Sequence, residues 1–289
     1  MVIELNIEKP MLANSVREKD LDKLNDYAIE PKYDGSRNIF IIDFEQNKLT
    51  IKRRNSRTNI FEEVSDFQFP EFSIDKLREV MNSKIRNIVI DGEMISRDFG
   101  SLMNRTHLTD RLKIEVAMRY NPVSFIIFDI LWLNDSDLTS LPYSERRYIL
   151  ETELVKKNDL LKVIQMFADY PTQTFKTMLE KGFEGIILKR LNSRYIQRRT
   201  DDWLKCKKHE TETVEILDFD TKSKSRPQKN RSIKVPVLNL ITTLGRVTVP
   251  RKEDMDYFYA FKPKLVEVEF QELSKAKKMR FPKFMRFVK

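Results

Sequence analysis

The sequence predicts an α+β domain over residues 1–208 followed by a small all-β domain over residues 209–289. Three observations carry that division. Short apolar runs alternate with stretches of helical spacing as far as Leu188, whereas beyond His209 only strand-like runs follow. The charge shifts at the same place. Residues 1–208 hold 35 Lys+Arg against 33 Asp+Glu, and residues 209–289 hold 18 against 11, so the tail carries most of the net charge of +9.

Within the first domain, residues 39–42 and 49–51 read as strands joined through a hairpin turn at Gln46-Asn47. Ile74, Leu77 and Met81 recur at helical spacing over 74–82, and residues 88–90 and 125–133 are apolar enough for buried strands. Pro142 and Ser144 mark a helix start, with Ile149, Leu150 and Leu154 on one face. A second helix spans 171–181 and stops at Gly182, and 185–188 follows as a strand. In the second domain the strands are 214–217, 235–241, 246–249 and 266–273, and residues 266–270 alternate as a half-buried strand should. About eighty residues of short strands suit a small barrel, of which the OB-fold is the commonest nucleic-acid-binding type. Residues 222–234, polar and basic around Pro227, read as a loop of low order.

Composition excludes several classes. No apolar run approaches the roughly 18 residues of a membrane span; residues 125–128 are halted by Asp129. Met1-Val2-Ile3-Glu4-Leu5 lacks the basic and apolar regions of a signal peptide. One cysteine, Cys206, excludes a disulfide framework and a multi-cysteine zinc site, and two histidines, His107 and His209, are too few for a histidine-rich metal site. A reducing cytoplasm fits this usage. The basic tail points to a polyanionic partner, nucleic acid before an anionic membrane.

One segment has the makings of covalent chemistry on a phosphate. A lysine attacks phosphorus once its ammonium is deprotonated. Carboxylates are needed to hold a divalent metal, and further cations to neutralise a departing pyrophosphate. A planar base needs an aromatic face. In Glu30-Pro31-Lys32-Tyr33-Asp34-Gly35-Ser36-Arg37, the Asp34-Gly35 pair predicts a turn directly after Lys32. Lys-x-Asp-Gly alone is common and equally describes a surface turn; the residues that follow it decide. Arg54-Asn55-Ser56, Asp91-Gly92-Glu93, Phe128-Asp129, Glu184-Gly185 and Trp203-Leu204-Lys205-Cys206-Lys207 come after it in order.

That series resembles the covalent nucleotidyltransferases: ATP-dependent DNA ligases, RNA ligases and mRNA capping enzymes. The resemblance implies an adenylation domain with mixed and antiparallel sheets, an OB-fold domain after it, and Lys32 as the residue that accepts AMP. It implies nucleotide contacts from Glu30, Arg37 (at the ribose), Arg54, Glu93, Phe128 (stacked on adenine), Lys205 and Lys207, with Glu93 and Glu184 at a metal. ATP and Mg2+ are the implied cofactors. Ser56 departs from the family, which has glycine there.

The ending Met279-Arg280-Phe281-Pro282-Lys283-Phe284-Met285-Arg286-Phe287 resembles that of DNA ligases of the compact phage and viral type. It favours nicked duplex DNA over RNA joining or capping, in repair, replication or recombination, by a monomer whose small domain swings between steps. The family continues into Arg-x-Asp-Lys, whereas Val288 stands here at the acidic position, before Lys289. Arg286 is carried over as a nucleotide contact on that alignment. Arg280 and Lys283, with Lys222, Lys224, Arg226, Lys229, Arg231 and Lys234 of the basic segment, are the expected DNA contacts.

Overall fold

The computed structural model of the chain describes residues 6–64, 67–154, 158–168, 170–228, 231–274 and 276–288, and over 224–228 and 231–234 the backbone alone. Two compact units result, Met1–Cys206 and Lys207–Lys289.

The first unit holds two sheets. A seven-stranded sheet runs in the order Phe61–Glu63, Lys48–Arg54, Ser36–Asp43, Asn87–Ile95, Ser124–Leu133, Ser136–Asp137, with Leu161–Val163 pairing alongside Ser124–Leu133. A four-stranded sheet runs Leu12–Ser15, Arg199–Lys207, Gly185–Arg190, Tyr27–Lys32. The strand period of two divides each central strand between two cores. Phe40, Ile42, Ile88, Ile90 and Met94 enter a core with Leu77, Leu102 and Leu150 of the helices Ile74–Val80, Phe99–Thr106 and Tyr143–Glu153. Ile39, Val89 and Leu131 point the other way, into a core shared with Met11, Tyr195 and Trp203. Beyond the four-stranded sheet, Ile29, Ile186, Leu204 and Cys206 pack on Phe175 and Met178 of the helix Pro171–Glu180.

Two helices of this unit were not expected. Phe99–Thr106 and Arg111–Tyr120 are capped by Asp98 and Asp110, which accept from the amides of Ser101 and Lys113. The second is hard to read as a helix because it buries Ile114 while Leu112, Val116 and Tyr120 stay exposed.

The second unit is a five-stranded antiparallel sheet in the order Gly245–Val249, Arg231–Thr242, Glu210–Gln228, Leu265–Phe270, Lys283–Val288. Its core joins Leu238, Leu240, Val247, Val266, Val268 and Phe270 to Phe258. Phe258 comes from a helix, Lys252–Phe261, so the unit is not made of strands alone. The expected loop at 222–234 is also corrected. Its backbone is paired, from Lys222 opposite Val237 to Gln228 opposite Arg231. Ladder hydrogen bonds need no apolar side chain, so a largely polar hairpin lacks the alternation by which strands are recognised.

At Gly92 the seven-stranded sheet tolerates no side chain. A Cβ there would lie 2.5 Å from Cζ of Phe125 and 2.6 Å from the Ile126 carbonyl oxygen, and Phe125 is itself stacked on Phe40 at 4.0 Å between ring centres. Gly92→Ala should therefore destabilise the first unit by about 1–3 kcal/mol. Urea unfolding measures this, and an unshifted midpoint would contradict the packing described.

Candidate active site

Lys32 ends the strand Tyr27–Lys32, and residues 33–35 carry the chain from the four-stranded sheet into Ser36–Asp43 of the other sheet. The ladder with Gly185–Arg190 also ends there, with Lys32 opposite Gly185 and the Glu184 amide donating to the Lys32 carbonyl at 3.0 Å. The Lys32 ammonium is thereby ion-paired with the Glu184 carboxylate, and the Glu184 side chain is 6% exposed. Gly35 passes so close to the neighbouring strand that a Cβ would meet Cγ of Glu93 at 2.7 Å. Glycine is needed at this crossing to bring the lysine loop against Glu93.

Alternation places Val89, Asp91 and Glu93 on the inter-sheet face of Asn87–Ile95, and Arg37 stands opposite Glu93 in the register. Arg37 nevertheless bonds to Asp91, from Nε at 2.9 Å and Nη2 at 2.6 Å. Its Nη1 donates to the Met11 carbonyl at 2.6 Å, and Nη2 also reaches the Tyr195 hydroxyl at 3.3 Å. Burial opposes the charge on Arg37, but Asp91, Tyr195 and Glu93 together outweigh it and hold the guanidinium above its ordinary pKa.

Phe125 and Ile127 enter the helix-side core, so alternation turns Phe128 to the inter-sheet face, where a β-bulge follows. Asp91 pairs with Asp129 and Gly92 with Ile127, so Phe128 is the extra residue between them. It is half-buried in the inter-sheet core, with its ring edge-on to Trp203 at 6.0 Å and the Arg37 guanidinium 5.2 Å from its centre. Behind it lies a buried ionic network. The Lys189 ammonium donates to the Phe128 carbonyl at 2.6 Å and pairs with Glu30 at 3.0 Å. Tyr143 donates its hydroxyl to the same carboxylate, and Arg146 grips Asp129 at 2.7 Å and 2.9 Å. Burial pushes the Lys189 ammonium pKa down, against the pull of Glu30 and Asp129.

The other expected residues are distributed as follows. Arg54 donates to Asn59 at 3.2 Å and 2.7 Å; burial first, then the positive charge of Arg37, lowers its pKa. Lys205 shares a strand face with Trp203, opposite to Leu204 and Cys206. Lys207 falls in the second unit, where it meets the Gln271 amide at 3.4 Å and lies 5.8 Å from the Phe281 ring centre. Arg280, Lys283 and Arg286 pair with Glu272, Glu269 and Glu267. Lys222 is exposed and 3.9 Å from Asp220. Lys229 and Lys289 lie outside the described residues, as do the side chains of Lys224, Arg226, Arg231 and Lys234. Asp91, Lys189, Tyr143 and Tyr195 were given no role from the sequence. Asp91 stands inside a quoted motif, but only the fold reveals its partner 54 positions away.

The Glu93 carboxyl is pushed up to about 7, first by burial and then by the charges of Glu184 and Asp91, while Lys32 and Arg37 pull it down. A raised carboxyl pKa means that folding favours the protonated form. The contribution to stability is complete below about 4.5, the ordinary value, and is lost as pH rises through about 7. Glu93→Gln should therefore be more stable than the native chain at about pH 8, by on the order of 2 kcal/mol, with the difference vanishing towards about pH 4.5. Thermal unfolding across that range checks the sign. A difference that does not change with pH would contradict it.

The family described as ATP dependent DNA ligase domain matches residues 10–207. The probable DNA ligase of Dictyoglomus turgidum is 30% identical over 235 residues, which are 74% of this chain and 38% of that protein. The DNA ligase of Nitrosopumilus maritimus is 29% identical, over 75% of this chain and 37% of the relative. The chain thus spans well under two thirds of their length. A SPbeta prophage-derived DNA ligase-like protein of Bacillus subtilis is 27% identical, over 74% of this chain and 72% of the relative. A solved structure from work on Lig E DNA ligases has the same fold, with a TM-score of 0.63 at 18% identity, covering 98% of this chain and 100% of that one. Among the described residues no helix is long and apolar enough to cross a membrane. With two thirds of its length matched by the family, the chain belongs to the ATP-dependent DNA ligase domain family.

Proposed function

We propose that the chain is an ATP-dependent DNA ligase that seals nicks in duplex DNA through AMP carried on Lys32. The observation that carries this is the setting of Lys32, at the crossing between two sheets, ion-paired with Glu184 and with Glu93 against its loop. In the first step Lys32 loses its proton and its Nζ forms a bond to the α-phosphorus of ATP as the bond to pyrophosphate breaks. The 5′-phosphate at a nick then takes the AMP from Lys32. Finally the adjacent 3′-hydroxyl attacks that phosphate, expels AMP and joins the strand.

Phe128 offers its ring to adenine and Arg37 its remaining N–H to the ribose, with Arg54 alongside. Glu30 is engaged by Lys189 and Tyr143, so its share is to hold the base pocket in shape unless a nucleotide displaces them. Lys205 and Lys207, with Arg286, supply cations for the phosphates. Glu93 and Glu184 suit a Mg2+ ion, which commonly takes one or two carboxylates and fills its shell with phosphate oxygens and water. Among the described residues no group of three or more acidic, histidine or cysteine ligands occurs, so a shared site of this kind fits better than an all-protein cage. Bound there, the ion would draw charge from the phosphates.

DNA as the substrate is supported by the names of the relatives and by the basic second unit. Arg280 and Lys283 sit in partly exposed ion pairs that cost little to exchange for phosphate. On the paired strands Lys222, Lys224, Arg226, Arg231 and Lys234, and with them Lys229, would follow the DNA backbone. The test offers nicked DNA and nicked RNA side by side, with ATP and Mg2+. Sealing of DNA by the native chain and none by Lys32→Ala is expected. Failure to seal DNA, or a preference for RNA, would overturn the assignment.

A further inference from the structure

We propose that Tyr195 is a positioning residue whose hydroxyl sets the aim of Arg37, and so governs how the site holds the ribose of its nucleotide. The inference rests on the placement of Arg37 at the ribose given above.

A guanidinium has five N–H donors in a rigid plane. Asp91 takes two of them from Arg37, the Tyr195 hydroxyl a third and the Met11 carbonyl a fourth. One Nη1 hydrogen is left for a ligand, and its direction is fixed by the other four. The Tyr195 hydroxyl is itself fully used. It donates to Asp91 Oδ2 at 2.7 Å and accepts from Arg37 Nη2 and from the Met11 amide, each at 3.3 Å.

These partners come from different sheets. Arg37 and Asp91 belong to the seven-stranded sheet. Met11 immediately precedes Leu12–Ser15, and Tyr195 precedes Arg199–Lys207, both strands of the four-stranded sheet. One buried oxygen thus ties the two sheets together at the guanidinium. The Tyr195 ring stands edge-on to Trp203 at 6.0 Å, and Trp203 stands likewise to Phe128. Burial and the adjacent Asp91 keep the phenol protonated, so the tie persists at high pH.

Without the hydroxyl, the Arg37–Asp91 pair survives, but its one remaining hydrogen bond towards the opposite sheet is that to the Met11 carbonyl, beside the non-directional contact with the Trp203 ring at 5.4 Å. Small displacements of a positioning group weaken binding of the part it aligns. Tyr195→Phe removes the oxygen and keeps the ring against Trp203.

The test compares lysine adenylylation with ATP, 2′-deoxy-ATP and 3′-deoxy-ATP in the native chain and in Tyr195→Phe. The native chain is expected to show a higher KM for at least one deoxy analogue. In Tyr195→Phe, KM for ATP should rise about tenfold, the magnitude of one well-placed hydrogen bond, while kcat stays within about twofold. The penalty against the deoxy analogue should shrink to within about twofold. That penalty is a ratio measured within each protein, so a reduced folded fraction does not alter it. If Tyr195→Phe keeps the native penalty, the role of Tyr195 is overturned while the placement of Arg37 stands. If the native chain shows no penalty, the placement of Arg37 at the ribose fails, and this inference with it. If neither protein labels, the proposed function fails first.

Discussion

The antiparallel ladder between Tyr27–Lys32 and Gly185–Arg190 ends on Lys32 and Gly185, and the rest of the site depends on where it ends. Pairing to that register makes Glu184 the next residue beyond the ladder and sets its carboxylate against the Lys32 ammonium. After Lys32 the chain must leave this sheet and enter the other at Ser36, and Gly35, three residues on, lets it pass beside Glu93. A lysine ion-paired with one carboxylate, with a second carboxyl group against its loop, is thus produced by backbone geometry before any ligand arrives. One register slip would turn Lys32 to the opposite face.

The charges buried behind this point are paired throughout. Lys189 with Glu30, Arg146 with Asp129 and Arg37 with Asp91 each hold a strand of one sheet to a neighbour. Such pairs add little net stability compared with apolar packing, but removing one partner leaves a buried charge exposed to the full desolvation cost. Their effect here is definition of place. They join the strand of Lys32, the bulge at Phe128 and the helix Tyr143–Glu153 into one frame, in which a nucleotide would meet preset groups.

Much of this frame was legible before the fold was known, and the parts that were not share a cause. Lys32, Glu93 and Glu184 sit in short local patterns beside strands whose apolar residues announce themselves, so their order along the chain was enough to single them out as candidates. Phe128 was singled out by its motif and lies on the face that alternation gives it, but the bulge beside it, which brings Asp129 opposite Asp91, is signalled by no periodicity. Asp91 binding Arg37 and Tyr195 binding Asp91 span 54 and 104 positions, and neither pairing leaves a local trace. The helix Lys252–Phe261 was hidden among strands, although Glu253 and Asp254 in its first turn suit a helix N-terminus. The cations near the end were visible as charge alone. That Arg286 meets Glu267 and Lys283 meets Glu269 follows only from the register of two strands.

The central claim is that Lys32, and no other residue, becomes covalently bound to AMP. The most direct measurement is peptide mass mapping of the chain after incubation with ATP and Mg2+, without DNA. A single added AMP on the peptide containing Lys32, reversed by pyrophosphate, is the predicted result. An unmodified Lys32, or AMP on another residue, would contradict the account.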